Sequence, residues 1–157
     1  MKEKASTKGD PMSAYIVFYL RDKDSTGHFL EMDWFGRSAW VYRALEDKVK
    51  FESYKEFDEK IAAAAKTWIG ERIEAAEADI AATQDLIDVA KEVAAPIGEK
   101  LEAIGYYQRD IVELRQTLDE LRAAMDVIKY LEHIVEFSSN ARVYVAHECN
   151  PNVDEQS

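Results

Sequence analysis

A chain of 157 residues that is 47% apolar, 11% aromatic and of formal charge −11 has enough apolar matter for one buried core and too much for a disordered tail. It contains no apolar run near the ~18 residues of a bilayer span. Its single cysteine, Cys149, rules out an internal disulfide and fits a reducing, cytoplasmic setting.

The charge is unevenly spread. Residues 54–137 carry ten Lys/Arg against nineteen Asp/Glu, whereas residues 1–53 carry nine of each. An acidic middle of this kind repels bare nucleic acid and attracts basic surfaces.

Residues 1–13 are read as a polar leader ahead of the folded part, with Met12 a candidate start. Tyr15-Ile16-Val17-Phe18-Tyr19-Leu20 is β-branched and aromatic, which predicts a strand. The run is short, closes on Arg21-Asp22-Lys23-Asp24 and has no small-residue cleavage site, unlike a signal peptide. His28 to Phe35 predicts a second strand, paired with the first around a polar loop. That loop, Asp22 to Asp33, partly follows a calcium-loop template: oxygen-bearing side chains at positions 1, 3 and 5, Gly27 at 6 and Asp33 at 12. Strand flanks and an Asp at position 12 favour an ordinary hairpin turn instead.

Ser38 can cap a short helix through Trp40, Val41, Ala44 and Leu45. Around it lies the most aromatic and arginine-bearing stretch of the chain. Trp34 and Trp40 are expected to pack the core. Phe35, Arg37, Tyr42 and Arg43 are the candidate partner-binding residues, because exposed aromatics and Arg are the types enriched at binding hot spots. Asp47 to Glu52 is a short strand or an extended linker.

From Ser53 to Ser138 apolar residues recur at three and four. Ser53-Tyr54-Lys55-Glu56 reads as a capping box opening the first arm. Ile73, Ala76, Ile80, Thr83 and Ile87 form an alternating large–small seam. Ile97, Leu101, Ile104, Tyr107, Ile111, Leu114, Leu118, Leu121, Met125, Ile128, Leu131 and Val135 form the complementary one. Pro96 is the favoured bend between arms of about 60 Å, and Gly105, where the phase slips, is a second candidate. Folding back within one chain and zipping with a second chain both satisfy the seam, so a homodimer is possible. Ser138-Ser139-Asn140 stops the second arm. Ala141 to Cys149 alternates, with Val143, Val145 and His147 opposite Tyr144, Ala146 and Glu148, which predicts a third strand returning to the first two. Residues 150–157 are an acidic tail.

The expected fold is therefore α+β: a single domain over 14–149, with a small antiparallel sheet of about three strands, a short helix and a long antiparallel, coiled-coil-like helical hairpin at about 53–138. No nucleophile elbow, phosphate-binding glycine loop or four-ligand zinc spacing is present. His28, His133, His147 and Cys149 lack a ligand pattern. The reading is a non-enzymatic module without cofactor or metal, binding another protein with a basic surface and neither nucleic acid nor membrane. It would act as an inhibitor or adaptor, of the type phages and mobile elements encode. A nucleic-acid mimic and a homo-oligomeric assembly protein are the alternatives.

Overall fold

A computed structural model describes residues 14–22, 30–32, 38–137 and 141–149. The elements in order are β1 (Ala14–Asp22), β2 (Leu30–Glu31), α1 (Ala39–Leu45), β3 (Ser53–Glu56), α2 (Glu59–Glu92), α3 (Ile97–Phe137) and β4 (Ala141–Cys149). The fold is α+β with a helical hairpin, as the sequence implies. The rest of the expected second strand, the cation-loop segment after Asp22, Trp34, and the leader and tail lie outside the described residues.

The sheet runs β2-β1-β4-β3, with every neighbour antiparallel. β4 pairs with β1 along its whole length, from Ala14↔Cys149 to Asp22↔Ala141. The last strand thus lies at the centre of the sheet. Period-two alternation turns Ile16, Phe18, Val143, Val145 and His147 toward the helices, all of them buried. Phe18 meets Phe57 edge to face, with ring centroids 5.9 Å apart and planes at 88°, a favoured aromatic geometry. On the opposite face Glu148 accepts hydrogen bonds from the Tyr15 hydroxyl at 3.2 Å and the Tyr19 hydroxyl at 3.0 Å.

One boundary differs from the sequence reading. Ser53–Glu56 does not start a helix but forms a fourth strand, from Ser53↔His147 to Glu56↔Tyr144. The Ser53 hydroxyl donates to the Lys50 carbonyl at 2.6 Å and closes a turn in which Glu52 has a φ of 63°. The cap of α2 is Asp58, whose carboxylate accepts from the Ile61 N–H at 2.9 Å. Pairing with β4, about ninety residues downstream, offers Ser53–Glu56 a full ladder of backbone bonds that a helix start would forgo. Asp58→Ala is expected to lower stability by about 1 kcal/mol in urea titration. Ser53→Ala, at an exposed turn, should cost no more than about 0.5 kcal/mol. The reverse order would return the cap to Ser53.

α2 and α3 have 34 and 41 residues. Ile61, Ala65, Ile69, Ala76 and Ile87 of α2 are buried against Ile111, Leu118, Leu121, Ala124, Ile128 and Leu131 of α3. Ile73 and Ile80 are half-buried at the same seam. Written as heptads, Ile73, Ile80 and Ile87 occupy position a of α2, and Ile104, Ile111 and Leu118 position a of α3. The bend is at Pro96: Val93 ends α2 in extended conformation and the Pro96 carbonyl receives the Lys100 N–H at 3.1 Å. Gly105, the other candidate, sits inside uninterrupted α3; a single interior glycine costs about 1 kcal/mol against alanine and need not bend a helix this long. Ion pairs cross the seam, Lys66–Glu132 at 2.8 Å and Arg122–Glu77 at 3.0 Å. Partly exposed pairs like these contribute little, and the apolar seam dominates.

Candidate functional site

Of the four residues singled out by sequence, Phe35 and Arg37 lie outside the described residues. Tyr42 and Arg43 are consecutive on α1 and so face different ways. Ser38 caps this helix as expected, accepting from the Val41 N–H at 3.3 Å.

Tyr42 is half-buried and turned inward. Its hydroxyl lies 3.1 Å from Nε2 of His147, a buried residue of β4. Nδ1 of His147 lies 3.1 Å from the Val49 carbonyl. A carbonyl only accepts, so Nδ1 carries the proton in this arrangement and Nε2 receives the Tyr42 O–H. Burial, and then the charge of nearby Glu46, pushes the Tyr42 phenol above its ordinary pKa. Phe51 meets the same imidazole edge to face at 5.1 Å, and the Glu52 N–H donates to the His147 carbonyl at 2.7 Å. His147 therefore ties α1, the 49–52 turn and β4 together. With both ring nitrogens engaged, it is a tether and not an open ligand. Among the described residues no group of three or more His, Cys, Asp and Glu is placed to hold a metal ion.

Arg43 is exposed and belongs to a stack that crosses from α1 to α2. Its guanidinium carbon lies 5.1 Å from the Trp40 ring centroid. Trp40 tilts against Trp68 at 6.2 Å, and the Arg72 guanidinium carbon lies 4.3 Å from the Trp68 ring. The Trp40 indole N–H donates to Glu120 of α3 at 3.3 Å. Both indoles are half-buried, so Trp40 sits at the margin of the core. The stack fixes α1 on the hairpin and presents a pre-ordered Trp/Arg surface. Sequence reasoning missed Trp68 and Arg72. The available signal was their spacing of four, which stacks side chains on one helical face.

The far end of the hairpin has a different character. Between Ile87 and Ile111 no side chain is buried. Leu86, Val89, Val93, Ile97, Leu101 and Tyr106 are 47–71% exposed there; Ile97 and Leu101, expected in the seam, are not covered, because the packed part of the seam stops short of the bend. Asp85, Asp88, Glu92, Glu99 and Glu102 surround them, with Lys91, Lys100 and Arg109 opposing. A step toward the head, Asp79, Thr83, Asp110, Glu113, Leu114 and Thr117 line a shallow depression between the helices.

Comparison with known proteins attaches no function to these surfaces: no family model matches the chain, and no curated protein or solved structure matches it significantly. Among the described residues no helix is long and apolar enough to cross a membrane.

Proposed function

We propose that this protein is a non-enzymatic binding module that occupies a surface of another protein through its acidic hairpin and its head, in the manner of an inhibitor or adaptor. The observation that carries the reading is the exposed apolar end of the hairpin. Six large apolar side chains exposed at that end contribute little to this chain's own core, and exposed apolar surface with a polar rim is characteristic of a contact surface. The excess of nineteen acids over ten bases in residues 54–137 favours a partner with a basic surface. Arg43, with the stack it joins, is the head residue best placed to contribute.

The full chain, immobilised and exposed to extract of its source cells, is expected to retain one protein near equimolar amount. A variant with Leu86, Val89, Ile97 and Leu101 all changed to Gln should lose it while keeping the wild-type helical circular dichroism. Equal retention by both forms, or retention by neither, counts against the reading.

A further inference from the structure

The two flanks of the hairpin seam are not equivalent. In an antiparallel pair of helices, g positions of one helix lie beside g of the other, and e beside e. The structure follows this rule: the Glu77–Arg122 ion pair at 3.0 Å joins two e positions, and Asp79 and Asp110, both g, line one depression with Glu113 at c.

On the e flank the bases Lys91, Arg115 and Arg122 accompany Glu77. The g and c positions from residue 75 to 113 hold no Lys or Arg at all. Toward the tip they present exposed Leu86, Val89, Val93 and Tyr106; toward the head they present Asp79, Asp110 and Glu113 around the depression. One strip therefore changes from mainly apolar, with Glu99 at its end, to mainly acidic along its length. From Val93 to Asp79 it runs about 21 Å at 1.5 Å per residue.

Resting on the protein-binding reading above, we propose that this g/c flank is a docking face for a basic amphipathic helix of another protein. The helix would be about four turns long, with its apolar part against Leu86, Val89 and Val93 and its Lys or Arg side chains over Asp79, Asp110 and Glu113. Charge selects the occupant. A second copy of this chain would bring further acids to an acid-lined strip, whereas a basic helix neutralises them and covers the apolar end in one pose. The small footprint implies binding on the order of micromolar and steered by charge.

The probe is a fluorescein-labelled synthetic helix of about five turns, with leucines along one face and lysines flanking them. A scrambled peptide of the same composition is the control, and anisotropy is the readout. Saturable binding of the ordered peptide is expected, falling at least tenfold in the double variant Leu86→Asp, Val93→Asp. Asp79→Lys with Asp110→Lys should weaken it comparably and flatten its salt dependence. Leu101→Asp, on the e flank and more exposed than either, should change it less than twofold. Asp79, Leu86, Val93 and Leu101 are exposed and Asp110 is half-buried, and unchanged thermal melts will show that the fold is kept.

The inference is overturned by any of four results: no saturable binding, equal binding of the scrambled peptide, equal loss with Leu101→Asp, or a dimer in light scattering that the Leu86/Val93 variant dissolves. The capture experiment reports separately: a cellular partner retained by wild type and by the Leu86/Val93 variant alike would keep the protein-binding reading and overturn this face.

Discussion

Ile69→Asp is expected to remove most of the protein's stability. Ile69 is fully buried between α2 and α3, in the part of the seam where Ala65, Leu121 and Ala124 are also buried. A carboxylate there would be fully buried, and the cation one turn away, Lys66, is already paired with Glu132. An uncompensated buried charge costs about 3–5 kcal/mol, a large share of the roughly 5–15 kcal/mol available to a domain. Ile80 provides the comparison. It lies on the same seam, at position a where Ile69 is at d, but is only half-buried, so Ile80→Asp can swing its carboxylate outward and should cost roughly half as much. Urea titration followed by helical circular dichroism measures both. A wild-type midpoint for Ile69→Asp would mean that the two helices do not shield each other.

Phe18→Ala should be comparably damaging, through a cavity. Phe18 is fully buried on β1, edge to face with Phe57. Truncating a buried phenylalanine costs about 3–5 kcal/mol. The loss would fall on the junction where the sheet, the start of α2 and α1 meet. Thermal unfolding should show one cooperative transition moved down by many degrees. Val112→Ala, on the outer face of α3 at 63% exposure, should leave it within about 0.5 kcal/mol of wild type. An equal response in both variants would place Phe18 outside the core.

Periodicity made the hairpin readable before any coordinates. Ile73, Ile80 and Ile87 repeat every seven residues, and a repeat of that kind has one physical use in water. The strands β1 and β4 were readable for a similar reason: alternation of Val143, Val145 and His147 against Tyr144 and Glu148 fixes which face is buried. Reading failed where a distant partner decides. Ser53-Tyr54-Lys55-Glu56 satisfies the capping-box pattern, yet its backbone bonds go to β4. The Asp58 cap lacks the reciprocal Glu or Gln three residues on, having Ile61 there, so it gave the weaker signal.

The candidate surfaces were hidden for the same reason. Arg43 could be named from composition. Its stack with Trp40, Trp68 and Arg72 needs α1 and α2 laid side by side. The acidic bias of the arms was countable, but the lack of Lys and Arg at the g and c positions of residues 75–113 gains a meaning only once the antiparallel register puts Asp79 and Asp110 on one depression and Glu77 beside Arg122.

The central pair of the sheet joins residues 14–22 to residues 141–149. During synthesis, β1 must wait, with its apolar face uncovered, until nearly all the intervening chain has been made. The hairpin between them has mostly local contacts and can form early. Once closed, it shortens the effective separation of the two strands and lowers the entropy lost in pairing them. The expected order of assembly is thus arms first and sheet last. A lesion in the seam should slow folding, while one confined to β4 should chiefly hasten unfolding.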